Sequence, residues 1–187
     1  MMARPREGKW AIVTIRQNAL KTPLRAVAKS AAKRFDLKTS PLLMAVELAD
    51  VDCARLALQN GEAVDTRDLD GNTPLIRAAF LGNAAMTRLF IEHGADVNAA
   101  NDLGWTALHF TAQEDGHAIT QLLLDVPGVN VNALDAQGNN PLFRAVFSEA
   151  MRTMSLLIKA GADSEQKNRH GVSPAGLAES TGLALPR

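Results

Sequence analysis

The sequence predicts an all-α solenoid in which short helical hairpins stack in single file. Two motifs that recur every 33 or 34 residues carry this prediction, together with a composition rich in small apolar side chains. The first motif begins at Gly71, Gly104, Gly138 and Gly171, and the second begins at Gly61, Gly94, Gly128 and Gly161. Hydrophobic residues make up 47% of the 187 residues and aromatic residues only 4%, so the core must be mainly aliphatic. A unit of this length cannot bury its own apolar face, so neighbouring units must stack.

The first motif predicts the start of a helix in each unit. Thr73 is suited to cap a helix, and Pro74 fits the first helical position. Ala78 and Ala79 follow, and their small side chains allow neighbouring repeats to approach closely. Residues 68–71, with two aspartates and a glycine, are typical of a turn. A turn at this place forms the hairpin that connects one repeat to the next.

The second motif predicts where the second helix of each unit ends. Residues 89–91, Leu-Phe-Ile, supply an apolar helical face, and Gly94 suits the left-handed conformation that ends a helix. One step of the repeat is 34 residues long because an extra residue lies near Val126 and Pro127, where a loop can absorb it.

Together the two motifs resemble the ankyrin repeat, whose pattern is Asp-x-x-Gly-x-Thr-Pro-Leu-His, an Ala-rich helix, Leu-Leu and Gly-Ala-Asp-x-Asn. The resemblance covers roughly residues 35–182. It implies an ankyrin-repeat solenoid of about four full repeats, with an N-terminal capping helix and a short C-terminal cap. The implied division is a basic, partly disordered arm at 1–16, a capping helix at 17–35, repeats at 36–67, 68–100, 101–134 and 135–167, and a truncated capping repeat at 168–187.

The chain departs from the family pattern in two places. Only His109 occupies the usual His position, which holds Leu43, Ile76 and Phe143 in the other repeats. Since that histidine normally ties adjacent loops together, we expect a less regular array. Asp115 and Glu149 replace the usual glycine between paired helices, with Gly116 shifted by one place, so we expect distorted turns there.

Charge divides the chain into a basic N-terminal part and an acidic body. Residues 1–38 carry a net charge of +8 and residues 39–187 one of −8. A basic helix with Arg25, Lys29 and Lys33 on one stripe could contact an acidic partner, nucleic acid or an anionic membrane. The other interpretation is that the stripe is the polar outer face that a terminal repeat requires. We favour the second interpretation, and so do not expect nucleic acid as the partner.

No group of residues predicts catalysis, a cofactor or a metal site. The four histidines show no His-x-x-x-His spacing, and the sequence contains no phosphate-binding loop, Gly-x-Gly-x-x-Gly or Gly-x-Ser-x-Gly motif. The single cysteine, Cys53, cannot form a disulfide within the chain and is interpreted as a small buried side chain. No apolar run is long enough to span a membrane and no secretory signal is evident, so we expect a cytoplasmic protein without a transmembrane segment.

The family resemblance implies a binding surface on the concave face, which is formed by the hairpin tips and the ends of the first helices. We predict Trp105, Phe80 and Phe147 as anchors on that face, because large apolar side chains are costly there without a partner. Arg77 and Arg144 recur at equivalent places and are predicted as ionic contacts. The further predicted contacts are Asp70, Asn72, Leu81, Leu103, Gln113 and Glu114. The alternative is that the two phenylalanines pack against the neighbouring repeat.

These observations favour a non-catalytic protein–protein interaction module that is monomeric alone and binds another protein. A specific form of this hypothesis is an inhibitor or an immunity or antitoxin-like protein that blocks a toxin or enzyme with its acidic face. The alternatives are a secreted effector that engages a host protein, and an adaptor that engages nucleic acid or an anionic membrane through the basic arm. No feature of the sequence supports an enzyme.

Overall fold

The computed structural model describes residues 40–186. The predicted basic arm at 1–16 and the predicted capping helix at 17–35 lie outside the described residues. Residues 40–186 form nine α-helices and no strand: α1 Pro41–Glu47, α2 Val51–Gln59, α3 Pro74–Phe80, α4 Ala84–Glu92, α5 Ala107–Gln113, α6 His117–Leu124, α7 Pro141–Phe147, α8 Met151–Lys159 and α9 Pro174–Thr181. Not one of these nine is long enough and apolar enough to cross a membrane.

The helices are arranged in two layers, which confirms the predicted all-α solenoid. Each first helix packs on its own second helix, in the pairs α1–α2, α3–α4, α5–α6 and α7–α8. The first helices also stack on one another from α1 to α9, and the second helices stack from α2 to α8. Each element therefore contacts mainly the repeats next to its own, which is the organisation of a solenoid.

Small side chains fill the space between first helices, as the sequence predicts. Ala78, Ala112 and Ala145 are fully buried, and Phe90 is the largest buried side chain of the second layer. Cys53 differs from its interpretation as a buried residue: it is only partly buried and packs at the margin of the core from the first turn of α2.

Every first helix begins at an equivalent residue that carries its own cap. The capping residues of α1, α3, α5, α7 and α9 are Ser40, Thr73, Thr106, Asn140 and Ser173. The Thr73 hydroxyl accepts a hydrogen bond from the Ile76 backbone N–H at 3.3 Å. These caps fix where each first helix begins, so the repeats without the histidine begin their first helices at the same position as the repeat with His109. The expected irregularity is therefore not seen at the starts of the first helices.

The hairpins that follow each repeat are held by one acid or amide side chain. The Asp68 carboxylate accepts hydrogen bonds from the backbone N–H groups of Asp70 at 2.9 Å and Asn72 at 2.8 Å. Asn101, Asp135 and Asn168 make the same two bonds in the next three hairpins. Most turn carboxyl and amide groups are therefore structural, which is why these residue types recur there.

Backbone hydrogen bonds then join each hairpin tip to the next. The Asp102 N–H donates to the Asp70 carbonyl at 3.1 Å, and the Ala136 N–H donates to the Leu103 carbonyl at 2.9 Å. Arg169 and Gln137 continue the series at 2.9 Å. The tips are thereby aligned in a fixed row.

Three residues other than glycine take the left-handed conformation in the turns between paired helices. Asp115 and Glu149, where the sequence predicts distorted turns, have φ values of 50° and 54°, so both turns keep the left-handed conformation that a glycine would take and the expected distortion is not observed. Ala49, which the sequence analysis did not single out, has a φ of 52°, whereas the fourth such turn has Gly82 at 68°. Left-handed backbone is costly for a residue with a Cβ atom.

Asp115 has a structural role that Glu149 lacks. Its carboxylate accepts hydrogen bonds from the Thr153 hydroxyl at 2.9 Å and from the Thr153 backbone N–H at 3.4 Å. Thr153 lies in the first turn of α8, whose own capping residue, Ala150, offers no side-chain acceptor. Asp115 therefore caps a helix of the following repeat.

Substitution by glycine should stabilise the protein at Glu149 but not at Asp115. Glu149→Gly removes backbone strain and loses no hydrogen bond, so we expect the free energy of unfolding to rise by about 0.5–1 kcal/mol. Asp115→Gly relieves the same strain but removes a helix cap, whose loss costs about 0.5–2 kcal/mol, so we expect no gain or a net loss. Urea denaturation followed by circular dichroism measures both values. Equal stabilisation by the two substitutions would show that the contact with Thr153 contributes nothing.

Candidate partner-binding face

A groove lies between the hairpin tips and the first helices of the second and third repeats. Its volume is about 440 Å³, large enough for one or two side chains of a partner. The tip side contributes Asp70, Asp102 and Leu103, and the helix side contributes Ile76, Phe80 and Phe110. We call the hairpin tips together with α1, α3, α5 and α7 the binding face.

Three aromatic rings form a continuous row along this face. Phe80 meets Phe110 edge-to-face with ring centroids 5.5 Å apart, and Phe110 meets Trp105 with centroids 4.8 Å apart. A guanidinium lies over each end of the row. Arg77 lies 5.8 Å from the centroid of Phe80, and Arg144 lies 4.3 Å from the centroid of Trp105. Such contacts favour a cation over a ring face.

The predicted anchors differ in how much of their surface is free. Phe147 is 68% exposed and Phe80 is 45% exposed. Phe80 packs in part against Phe110 of the neighbouring repeat, as the alternative interpretation expects, but nearly half of its surface stays free. Trp105 is only partly exposed, because it lies between Phe110 and Arg144. The two phenylalanines are therefore open to a partner, whereas much of the Trp105 ring is already in contact with its own chain.

Arg77 and Arg144 are paired within the chain, which differs from their prediction as ionic contacts for a partner. Arg144 is hydrogen-bonded to the Asp135 carboxylate, and that side chain of Asp135 is fully buried. Arg77 is hydrogen-bonded to Glu47 through its Nε at 2.8 Å and lies 4.0 Å from an Asp68 oxygen. Their charges are thus neutralised before any partner arrives.

A nine-residue spacing links each hairpin acid to its arginine. Asp68 precedes Arg77 by nine residues, and Asp135 precedes Arg144 by nine. In the third repeat, the same two positions hold Asn101 and the uncharged Phe110. The central ring of the aromatic row, the partly exposed Phe110, therefore lies where the acid–arginine pair is absent.

Phe110 is a lining residue that the sequence analysis did not select. Aligning the repeats could have identified it. The second and fourth repeats carry Arg77 and Arg144 at one position, and the third repeat carries Phe110 at that position. A ring at a position that otherwise carries a surface cation indicates an altered surface.

Asn72 is a correction to the predicted contacts. It is only 6% exposed, its amide nitrogen donates to Asp68, and its oxygen accepts from Asn101 at 2.9 Å. It joins two hairpins and is not open to a partner. The structure leaves Asp70, Leu81, Leu103 and Glu114 exposed and Gln113 partly exposed.

His109 bridges the third and fourth repeats beneath the aromatic row. Its Nδ1 accepts from the Thr106 backbone N–H at 3.1 Å, and its Nε2 donates to the Asn139 carbonyl at 3.1 Å. Burial lowers the pKa of His109 from 6.5 to about 4, so the ring is neutral at physiological pH.

Asp135 stays ionised in the same junction. Burial alone would raise the pKa of Asp135, but hydrogen bonds from Arg144 and Asn139 outweigh burial and hold that pKa below its usual value of 3.8. No group of three or more possible metal ligands occurs within residues 40–186.

The chain is similar in sequence to proteins that contain ankyrin repeats. A sequence profile described as "Ankyrin repeats (3 copies)" matches residues 15–101 and 98–168. Human Rabankyrin-5 is 31% identical over 122 residues, which are 64% of this chain and 10% of the relative. Mouse Ankyrin repeat domain-containing protein 63 is 30% identical over 154 residues, or 77% of this chain and 39% of the relative. The rice potassium channel AKT1 is 38% identical over 80 residues, or 43% of this chain and 8% of the relative. The chain thus spans well under half the length of these relatives.

The buried histidine predicts a pH-dependent stability. Well above pH 6.5, His109 is neutral in both the folded and the unfolded chain, so its full contribution to the free energy of unfolding is present. Below pH 6.5 the unfolded chain binds a proton at this histidine, whereas the folded chain does not bind one until the pH falls to about 4. The free energy of unfolding should therefore fall by roughly 2–3 kcal/mol between pH 7 and pH 4.5, at up to about 1.4 kcal/mol per pH unit.

Urea titrations of the wild type and of His109→Asn at both pH values measure this difference. Asp135 remains ionised over that range, because its pKa is lowered. The variant should be less stable at pH 7 but should lose less on acidification. An equal loss in both proteins would assign the pH dependence to other groups.

Proposed function

We propose that this chain, which belongs to the ankyrin repeat family, binds a partner protein through the binding face. Ankyrin repeats generally mediate protein–protein interaction, and proteins built from them are typically non-catalytic interaction modules. The observation that supports the location is the aromatic row of Phe80, Phe110 and Trp105, with the exposed Phe147 beyond it. Tryptophan is among the residue types most often found as binding hot spots, and phenylalanine is enriched at the core of protein–protein interfaces.

The rigidity of the face supports the same proposal. The tips are aligned by backbone hydrogen bonds from Asp102, Ala136 and Arg169 to the preceding hairpin. Trp105 is fixed between Phe110 and Arg144. A surface that is ordered before association loses less conformational entropy when the partner binds.

We further propose that binding inhibits the partner, as an immunity or antitoxin-like protein would. Residues 39–187 carry a net charge of −8, and such a charge accelerates association with a basic enzyme cleft. The inhibitor would act in the cytoplasm as a monomer, in keeping with a chain whose single cysteine excludes an internal disulfide.

If the captured partner is a toxin or an enzyme, adding this chain should abolish the partner's activity in a purified assay. Unchanged activity at saturating binding would contradict inhibition.

Removing the two exposed rings should weaken capture of the partner. We expect the double substitution Phe80→Ala, Phe147→Ala to lower affinity by at least about 30-fold, since the loss of even one hot spot costs roughly 2 kcal/mol or more. Affinity capture from cell extract, followed by quantitative mass spectrometry, identifies and measures the partner. Both side chains are exposed, so circular dichroism should show the same folded signal as the wild type.

Met151→Ala is the matched control for this experiment. Met151 is 46% exposed, comparable to Phe80, but it lies on the second helix α8, outside the binding face. Capture that is lost with Phe80→Ala, Phe147→Ala and kept with Met151→Ala supports the proposed face. Equal retention by both variants would place the binding surface elsewhere.

A further inference from the structure

We infer that the groove between the second and third repeats receives an arginine side chain from a basic segment of the partner. This inference rests on the protein-binding function proposed above and names the chemistry of the bound segment. Three features of the described residues support it: a site elsewhere in the chain that already holds an arginine, an aromatic floor with no arginine over the Phe110 ring, and two carboxylates that form no ion pair.

The junction of the third and fourth repeats shows how this fold holds a guanidinium. Arg144 lies over the Trp105 ring at 4.3 Å and is hydrogen-bonded to the Asp135 carboxylate. Only 17% of its side chain is exposed. A planar guanidinium can stack on a ring and pair with a carboxylate at the same time, which an ammonium group does less well.

The groove offers the same two components but no arginine in contact with both. Its floor contains the rings of Phe80 and Phe110, and Phe110 stands where Arg144 stands one repeat later. Its tip side carries Asp70 and Asp102. Within residues 40–186, neither of these two carboxylates forms an ion pair.

Within residues 40–186, Arg77, which lines the groove, and the nearby Arg67 both have partners other than Asp70 and Asp102. Arg77 on the helix side pairs with Glu47 and faces Asp68. Arg67 donates to the carbonyl oxygens of Gly71 and Ala100, each at 2.7 Å. The groove therefore presents excess negative charge above an aromatic surface. An incoming cation would be attracted by both, and an incoming acidic segment would be repelled.

The test uses the full chain and a peptide probe of four arginines around a central leucine, acetylated and amidated at its ends. Isothermal titration calorimetry should show binding that weakens as salt concentration rises. In ¹⁵N spectra the shifted backbone amides should include those of Phe80, Leu103 and Phe110. A peptide with glutamate in place of arginine should not bind, and one with lysine should bind more weakly.

The substitution Asp70→Asn, Asp102→Asn should weaken binding of the arginine peptide by roughly three- to tenfold. Neither carboxylate makes a hydrogen bond within the described residues, so the fold should be unaffected. The matched control is Asp52→Asn, Glu92→Gln, which removes two exposed acids from the second helices. Phe110→Leu, which keeps an apolar floor without a ring, should weaken binding by about threefold.

Several outcomes would overturn the inference. These are the absence of peptide binding to the full chain, equal weakening by the control pair, equal affinity for the lysine peptide, or chemical cross-links that place the chain's own basic residues 1–38 in the groove. A partner captured through Phe80 and Phe147 that contacts the face without a basic segment would also overturn it. In that last case the binding function proposed above would stand.

Discussion

Each two-helix repeat leaves one apolar face uncovered, and the structure depends on burying that face against the next repeat. The contact between first helices is made by small residues such as Ala78, Ala112 and Ala145, all fully buried. Close approach of the helices brings the hairpins near enough for the backbone of one tip to bond the backbone of the next. The row of tips, and with it the shape of the groove, thus follows from the packing of alanines beneath it.

The junction between the third and fourth repeats is built differently from its neighbours. Elsewhere an asparagine amide reaches from one hairpin to an asparagine of the preceding one, as Asn101 does to Asn72 and Asn168 does to Asn139. Trp105 occupies the position of Asn72, and it cannot accept such a bond. His109 supplies the polar contact between these two repeats instead, to the Asn139 carbonyl, and the Arg144 guanidinium of the fourth repeat stacks on the Trp105 ring of the third. The ring that interrupts the amide series is also the end of the aromatic row, so the exposed aromatic surface and the altered junction have the same origin.

Much of the fold could be predicted from sequence because its determinants are local. Thr73 and Pro74 begin a helix and Gly94 ends one through interactions within a few residues, and the period makes each local signal recur. The site was less predictable, because exposure and pairing depend on residues distant in the chain. Asn72, for example, lies at a hairpin tip in the sequence pattern and was predicted to contact a partner, but in the structure it is buried and hydrogen-bonded to Asn101 of the next hairpin.

Contacts between neighbouring repeats explain the other differences from expectation. Asp115 looked like a simple departure from glycine, although it bonds Thr153, 38 residues away. Ala49 carries no chemical signal that would distinguish its left-handed backbone from an ordinary turn residue.

The position of Trp105 has a consequence for how unfolding can be observed. The chain contains two tryptophans, and Trp105 lies at the centre of the described array, beneath the guanidinium of Arg144. Solenoids can lose their end units before their middle, since each unit contacts only its neighbours. In a Trp10→Phe variant the Trp105 indole is the one remaining tryptophan and reports on the central unit, while helical ellipticity averages over all units. A difference between the two melting curves would then measure how far fraying proceeds inward.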